Sequence, residues 1–419
     1  MENGRIESIS IDGVGPFVNF KIDFPHKENE KEAEVHIFTG LNGSGKSTLL
    51  YCLGAGKSDL LRYRISKEIA ELRIIRRHST DFFAFSKGGN YMRKPEDLKE
   101  PNSYYDENIF FPKDYKSSFA MFAYSSYRKI ESESISAIEE ITDNPLYGAM
   151  SFASTPQSKN FINWVANTKT KEALASKENQ NTDSAKFASA IDKITDAIFE
   201  ITGLKIEFEL TYKPILKVIV KIEDEEVDFG TLPDGLKSII SWIADLLMRM
   251  DRIPWVDDLD IFERNFVLLL DEIEVHLHPA WQRKILPVIK KLFKNAQIFV
   301  STHSPFVVGS VDGAWIYKLK KEGLKTALAE EPKLSEDGES FRLILDEVFG
   351  INELFGIGVQ KDLDSFYQIK KKILNDEMSL EAAEFQSLAE SLMTQSKELE
   401  TIVGAELRQL NRLKPQMVS

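Results

Sequence analysis

The chain has 419 residues, a formal net charge of −13, a sequence pI near 5.2 and one cysteine, Cys52. This length exceeds the size at which a single hydrophobic core usually stops growing, so we expect one large domain with insertions or two domains. The acidic balance gives no global electrostatic case for nucleic-acid binding, which would need a local basic groove. One cysteine excludes an internal disulfide bond, and the apolar surroundings of Cys52 are typical of a core residue.

The sequence shows no sign of targeting or of a membrane span. Its first ten residues lack the basic-then-apolar pattern of a signal peptide, and no run approaches the roughly 18 apolar residues of a transmembrane helix. We therefore predict a cytoplasmic protein without a membrane partner.

The chain begins with alternating apolar residues. Ile9 and Ile11 lie beside polar neighbours, and Phe20, Ile22 and Phe24 continue the two-residue spacing. Such alternation predicts β-strands that bury one face. We expect two antiparallel strands in this region.

Residues 33–50 contain a phosphate-binding pattern. A short apolar run leads into Gly-Leu-Asn-Gly-Ser-Gly-Lys-Ser at 40–47, which fits the P-loop spacing G-x-x-x-x-G-K-[ST], and a helical pattern follows. The glycines allow turns in which successive N–H groups point at an anion beside a helix N-terminus. The alternative is a Gly/Ser-rich connector with a chance lysine, but the strand–loop–helix context favours the P-loop.

This loop predicts a binding site for the phosphates of a nucleotide and for Mg²⁺. Lys46 would contact the β- and γ-phosphate oxygens, and the Ser47 hydroxyl would be a magnesium ligand. The predicted nucleotide-binding residues of the loop are Gly40, Asn42, Gly43, Ser44, Gly45, Lys46, Ser47 and Thr48.

The middle of the chain is less regular. Residues 57–115 mix arginine, aromatic and Gly-Gly segments that indicate strands and loops, with a turn at 87–90. Residues 119–128 predict a buried strand whose end faces the nucleotide or forms an ordinary loop. Polar composition and helical periodicity at 160–175 and 184–201 predict a mostly helical insertion.

The second half supplies carboxylates for the predicted site. Residues 205–229 alternate as a hairpin does, and 266–270 form a continuous apolar run, typical of a central strand buried on both faces. That run ends in Asp271 and Glu272, a Walker B pattern. Asp271 would hold Mg²⁺, and Glu272 would act as the general base or orient the attacking water. A solvated Asp-Glu loop is the alternative.

A second buried strand is predicted from residue 297 onward, and it ends in Ser-Thr-His-Ser-Pro. A neutral histidine can donate a hydrogen bond to a phosphate oxygen or to the attacking water, so His303 joins Lys46 and Glu272 as a predicted catalytic residue. A structural strand-end histidine is the alternative. His276 and His278 have an H-x-H spacing, but the sequence offers no third ligand cluster for zinc.

Four motifs together resemble one family. They are the P-loop at 40–47, Leu-Pro-Asp-Gly at 232–235, Leu-Leu-Asp-Glu at 269–272 and Ser-Thr-His-Ser-Pro at 301–305. Their order and spacing resemble ABC-type P-loop ATPases of the SMC/RecF/OLD-like branch. The resemblance implies an α/β P-loop NTPase fold with an ABC-ATPase-like core, N-terminal antiparallel strands, a helical insertion and a helical C-terminal tail.

The same resemblance implies a site shared between two copies. In such ATPases a signature at a helix N-terminus reaches across a dimer to the γ-phosphate bound by the other subunit. Residues 232–235 resemble this signature, which makes Asp234 and Gly235 predicted nucleotide contacts. We expect the helix that follows at 238–250. Pro233 stands where the family usually has serine, so one hydroxyl contact is missing.

Four segments follow from this reading. The N-terminal half of the ATPase core would occupy residues 1–130, the helical insertion 131–204, the C-terminal half with signature, Walker B and switch histidine 205–325, and the helical tail 326–419. Apolar residues of the tail follow three- and four-residue steps and would serve a partner interface or packing on the core. We interpret Asp362 and Asp364 as the N-terminal turn of a helix rather than as a nuclease metal site.

Within this branch the chain resembles stand-alone ATPases of bacterial anti-phage defence modules such as Septu, PARIS and retron systems. That resemblance implies hydrolysis of ATP to ADP and phosphate, a homodimer or higher homo-oligomer, and regulation of a separate effector, a nuclease or toxin. It leaves nucleic-acid binding open. The alternatives are a RecF/SMC-type DNA-repair ATPase that binds duplex DNA and a transporter ATPase subunit.

Overall fold

The computed structural model describes residues 4–27, 31–54, 64–77, 79–86, 91–92, 116–126, 141–152, 158–213, 216–336, 339–351, 353, 355–375 and 382–413. The predicted turn at 87–90 lies outside these residues. The chain divides into two compact units, Met1–Ile344 and Leu345–Ser419.

The elements are as follows. The strands are β1 (Ile6–Asp12), β2 (Phe20–Asp23), β3 (Glu34–Gly40), β4 (Ile69–Arg76), β5 (Ser79–Ser86), β6 (Tyr91–Met92), β7 (Ala120–Tyr124), β8 (Ile206–Thr211), β9 (Lys217–Ile222), β10 (Glu225–Val227), β11 (Phe266–Leu270), β12 (Ala296–Ser301), β13 (Trp315–Glu322), β14 (Lys325–Leu328) and β15 (Lys333–Leu334). The α-helices are α1 (Lys46–Leu53), α2 (Ser158–Lys177), α3 (Asn181–Thr202), α4 (Asp234–Arg252), α5 (Pro279–Leu292), α6 (Pro305–Val308), α7 (Phe341–Glu347), α8 (Ile357–Leu374), α9 (Ala383–Gln395) and α10 (Lys397–Leu413).

A seven-stranded sheet organises the first unit. Five of its strands are parallel, in the order β13, β3, β12, β11 and β7, while β14 and β15 pair antiparallel with β13. All five residues of β11 are buried, as the continuous apolar run predicts for a central parallel strand. Because the strands are parallel, their carboxyl ends meet at one edge of the sheet. The loops after β3, β11 and β12 therefore converge there.

A second, antiparallel sheet has the order β2, β1, β4, β5, β6, and β1 pairs with β2 as predicted. Its apolar face shares one core with α1 and the central sheet, in which Phe17, Phe38 and Phe299 are fully buried. Cys52 is fully buried in this core, so its predicted role is confirmed. This packing fixes α1, and with it the P-loop, against the sheet.

The predicted helical stretches of the insertion correspond to α2 and α3. A three-stranded antiparallel sheet, β10-β9-β8, follows, and the next helix, α4, is buried along most of its length. This α/β architecture confirms the predicted fold class; the four segment boundaries stay predictions. Across the described residues, no helix combines the length and the apolar character that a bilayer crossing requires.

The second unit contains α8, α9 and α10, which share a core of their own. The apolar steps predicted for the tail supply that core, with Phe366, Phe385, Leu392, Val403 and Leu410 fully buried. The interpretation of Asp362 and Asp364 as a first helical turn is wrong, because they are the sixth and eighth residues of α8. Because α8 begins at Ile357, Asp364 instead accepts a hydrogen bond from Gln360 within the helix.

Candidate nucleotide-binding site

The loop between β3 and α1 has the backbone of a phosphate cradle. Gly40, Gly43 and Gly45 all have positive φ, at 143°, 77° and 95°. Gly45 is the N-cap of α1, and a Cβ there would lie 2.8 Å from both Phe17 and Pro16. Only glycine fits such a conformation and such a close approach. The loop therefore turns its N–H groups towards the start of α1, where the helix dipole favours an anion.

Lys46 is the cation of this loop. Its Nζ donates to the carbonyl oxygens of Gly40, at 2.9 Å, and of Leu41, at 3.2 Å. Burial lowers the pKa of Lys46, and the nearby charges of Glu272 and Asp271 oppose that shift. An ammonium group desolvated in this way gains from a bound anion.

The two predicted Walker B residues are held by the neighbouring strand end. Ser301 Oγ donates to Asp271 Oδ1 at 2.5 Å and accepts from the Glu272 backbone N–H at 2.8 Å. Glu272 has a φ of 46°, a conformation that non-glycine residues rarely adopt. Backbone strain of this kind is common at functional sites, and the bond to Ser301 stabilises it here.

His303 lies in the loop after β12. Glu274 binds this loop through both carboxylate oxygens: Oε1 accepts from the His303 backbone N–H at 2.5 Å, and Oε2 accepts from Thr302 Oγ1 at 2.8 Å. Burial lowers the pKa of His303, and the charge of Lys46 lowers it further. The imidazole is therefore neutral at pH 7 and able to donate one hydrogen bond.

These groups surround one open cavity of about 670 Å³. Of the predicted site residues, it is lined by Asn42, Gly43, Gly45, Lys46, Ser47, Thr48, Glu272 and His303. Gly40, Ser44 and Asp271 are not among its lining residues, and neither are Asp234 and Gly235. The cavity thus brings together the loop between β3 and α1, Glu272 and His303.

The signature residues lie at the start of α4, which begins at Asp234, four residues earlier than predicted. Asp234 exposes 78% of its side chain. Gly235 is buried, and a Cβ at this position would come within 2.6 Å of the His276 carbonyl oxygen. Glycine is therefore required here by packing within the chain, whatever contact it makes across a dimer.

Sequence reasoning missed Arg64, which also lines the cavity. Its guanidinium lies 4.7 Å from the centre of the Tyr51 ring and donates to Thr48 Oγ1. Burial, and then the charge of Asp271, raise the pKa of Tyr51 to about 12. No local pattern marks Arg64, because it follows the P-loop helix in a segment without clear periodicity.

Glu274 was also missed, although a carboxylate three residues after Asp271 was a signal in the sequence. His278 was considered as a metal ligand, but its Nδ1 accepts from the Ala280 backbone N–H and caps α5. This cap is a local structural role.

The donor set fits a magnesium nucleotide. Mg²⁺ prefers oxygen ligands; Ser47 lines the cavity and would supply a hydroxyl, and Asp271, buried beside Glu272, would hold the ion through its water shell. Lys46 supplies a positive charge at the cavity wall, and Gly43 leaves open space where a side chain would otherwise project. The residues present would therefore hold ATP phosphates and the ion together.

Residues 35–309 match the family profile AAA_21, described as "AAA domain, putative AbiEii toxin, Type IV TA system". The chain belongs to the AAA_21 family. The matched region contains every residue of the cavity from Asn42 onward.

Two curated relatives of this AAA_21 chain carry retron and Septu names. The chain is 31% identical over 144 residues to the "Retron Ec83 probable ATPase" of Escherichia coli, covering 34% of this chain and 26% of that protein. It is 24% identical over 315 residues to the "Septu protein PtuA" of Bacillus thuringiensis, covering 72% of each. The match thus spans about a quarter of the retron protein. The predicted resemblance to Septu and retron ATPases is confirmed.

Among solved structures, the AAA_21 chain is similar to the "SmcHead bound to the C-winged helix domain of ScpA". The TM-score is 0.46 at 14% sequence identity, covering 77% of this chain and 96% of the other.

Proposed function

We propose that this chain is a Mg²⁺-dependent ATPase that closes as a homodimer on ATP and regulates a separate effector protein in anti-phage defence. The observation that carries the proposal is the convergence of Lys46, Glu272 and His303 on one cavity at the end of a P-loop. We also propose a cytoplasmic location, in keeping with the single buried cysteine.

Within this proposal the P-loop binds and neutralises the phosphates. Lys46 would leave its two carbonyl partners and contact the β- and γ-phosphate oxygens, where charge builds up during phosphoryl transfer. Mg²⁺, held by Ser47 and Asp271, would neutralise further phosphate charge when bound. The backbone N–H groups of the loop orient the anion.

Glu272 would accept a proton from the attacking water, or orient that water, because it is the carboxylate that lines the cavity. Neutral His303 would donate a hydrogen bond to the γ-phosphate or to the water. The bond between Ser301 and the Glu272 backbone keeps the carboxylate at the strand end. In this proposal Glu272 acts on the attacking water, and His303 acts on the γ-phosphate or on that water.

A second copy would complete the site. The cavity is open, and Asp234 is exposed at the N-terminus of α4, a helix of 19 residues. In this proposal the signature at 232–235 would contact the nucleotide held by the partner copy. The effector partner is supported by the relatives from Septu and retron systems.

The first experiment compares the wild-type chain with Glu272→Gln by ATP hydrolysis and by native mass spectrometry with and without Mg²⁺ and ATP. The amide keeps the shape of the carboxylate but cannot accept a proton, so hydrolysis should fall about 100-fold or more while ATP stays bound. ATP trapped in this way should hold two copies together, so the mass of the protein should double. Adding the product of the neighbouring gene should increase it again.

Two outcomes would contradict the proposal. A wild-type chain that neither binds nor hydrolyses ATP would exclude the ATPase, and a Glu272→Gln chain that fails to bind ATP would exclude the role given to Glu272. A mass that stays monomeric with bound ATP would exclude the homodimer.

A further inference from the structure

The segment 272–276, called the connector below, joins three parts of the molecule. It starts at the Walker B strand with Glu272. In its middle, the Glu274 carboxylate accepts hydrogen bonds from Thr302 and His303 in the loop after β12. At its end, the His276 carbonyl oxygen packs against Gly235 at the start of α4. A change in the connector would therefore affect both the cavity and the signature.

The connector has a strained backbone. Glu272 and His276 have φ values of 46° and 65°, in the left-handed region that non-glycine residues rarely adopt. Such conformations persist only when surrounding contacts hold them. Glu274 lies midway between the two residues and bonds to the loop after β12 through both carboxylate oxygens.

The loop after β12 depends on the Glu274 carboxylate. Thr302 Oγ1 donates to Glu274 and accepts from the Ser304 backbone N–H at 3.0 Å. Ser304 in turn caps α6 through bonds from the N–H groups of Phe306 and Val307. His303 lies between Thr302 and Ser304, so its position follows from these bonds.

Glu274 is held in this place at a cost. Burial raises the pKa of its carboxyl above the ordinary range, and the hydrogen bonds from His303 and Thr302 only partly compensate. Replacing a buried charge with a neutral group is often neutral or stabilising when packing is preserved. Stability alone therefore does not explain an acid at position 274.

We propose that Glu274 is a positioning residue, which holds His303 at the nucleotide cavity and holds the connector against the signature helix α4. This inference rests on the proposed ATPase function of the cavity. Without the carboxylate, the loop after β12 loses its two bonds to the connector and keeps the bond from the Thr302 backbone N–H to the Phe38 carbonyl oxygen, so His303 moves away from the γ-phosphate. P-loop contacts to the nucleotide do not pass through Glu274 and stay intact.

Kinetics with three variants tests this role. Glu274→Ala should lower kcat about 30- to 100-fold and change KM for ATP less than about threefold, because a misplacement near 1 Å costs about that much in rate. Glu274→Gln keeps a carbonyl oxygen for the His303 N–H and should restore kcat to within about fivefold of wild type. Glu226→Ala removes an exposed carboxylate on β10 and should change neither constant.

Hydrogen–deuterium exchange without nucleotide gives an independent reading. In Glu274→Ala, the backbone amide of His303 should exchange at least about tenfold faster than in wild type, since its acceptor is gone. Glu274→Gln should keep most of the protection, and Glu226→Ala should keep all of it. If Glu274→Ala does not fold, the comparison of Glu274→Gln with wild type decides, and its His303 amide must stay protected.

The two readings separate failure of this proposal from failure of the ATPase proposal. A wild-type chain without turnover would remove the ATPase function, while faster exchange in Glu274→Ala would still establish the anchor. Unchanged exchange at His303 in Glu274→Ala would overturn the positioning role. So would a raised KM for ATP with unchanged kcat.

Discussion

The parallel strands of the central sheet carry buried polar clusters at both ends, and the clusters differ in how their charges are balanced. At the amino end, the Glu34 carboxylate accepts from Arg5 at 2.8 Å, from His36 Nε2 at 2.8 Å and from Gln297 Nε2 at 2.7 Å. Burial raises the pKa of Glu34, but His36 and Arg5 outweigh this effect and lower the pKa to about 2. The charged form is the stable one.

At the carboxyl end, the balance runs the other way. Burial raises the pKa of Glu274 and lowers the pKa of Lys46, so both groups are held in surroundings that disfavour their charges. Glu272 adds a left-handed backbone. Opposite shifts of this kind are typical of functional sites, whereas fully paired charges are typical of structure. The directions of the pKa shifts therefore distinguish the two clusters, although both consist of buried charged residues.

The largest expected effect concerns the cluster at the carboxyl end, which contains the left-handed backbone of Glu272. Lys46→Ala should lower ATP affinity and turnover by about 100-fold or more, because it removes the cation of the phosphate cradle. The free energy of unfolding should change little, since burial disfavours the charged lysine. Binding of a fluorescent ATP analogue and steady-state hydrolysis measure the first effect, and chemical denaturation measures the second.

Lys291→Ala is the matched control, because Lys291 is exposed on α5, outside the cavity. Unchanged ATP binding in folded Lys46→Ala would exclude a phosphate-binding role for the cluster at the carboxyl end.

The next largest effect concerns the cluster at the amino end, in which the Glu34 charge is paired. Glu34→Gln should lower the free energy of unfolding by about 3 kcal/mol at pH 7, since a pKa of about 2 instead of 4.5 corresponds to roughly that amount. It also leaves the buried Arg5 guanidinium without its charged partner. Turnover per folded molecule should stay unchanged. Urea denaturation with an activity assay measures both quantities.

Glu71→Gln, at an exposed position of β4, is the control and should cost less than about 0.5 kcal/mol. A Glu34→Gln chain as stable as wild type would mean that the pairing of Glu34 contributes nothing net.

The site motifs could be predicted because their signals are local. Gly45, Lys46 and Ser47 follow one another, and Asp271 and Glu272 end an apolar run whose five residues are all buried. The glycine spacing and the apolar character of these segments are visible within a few consecutive residues. Periodicity likewise predicted α2, α3 and the helices of the second unit.

The partners could not be predicted, because they depend on contacts between distant segments. Gln297 bonds to the backbone of Ile6, 291 residues away, and Thr302 bonds to Glu274, 28 residues away. Gly235 fits the predicted signature, but its packing against His276 follows from the path of the connector. Only the folded register of the strands brings such residues together.

The smallest effect sharpens the comparison through its sign. Glu274→Gln should raise the free energy of unfolding at pH 7 by about 0.5–1 kcal/mol, because it removes a buried charge while its amide can still bond to His303 and Thr302. The pKa of Glu274 is raised on folding, so protonation favours the folded state below about pH 4.5. That contribution is lost as pH rises through the raised pKa.

The gain from Glu274→Gln should therefore shrink as pH falls towards 4.5. For Glu34 the sign is opposite: its lowered pKa stabilises the fold above pH 4.5, and this stability is lost as pH falls towards 2. Urea denaturation of both glutamine variants between pH 7 and pH 4 measures the two trends. A loss of stability in Glu274→Gln at pH 7, of the same sign as in Glu34→Gln, would show that the charges at both ends of the parallel strands are paired for structure. The directions of the pKa shifts would then not distinguish the cluster at the carboxyl end from the structural cluster at the amino end.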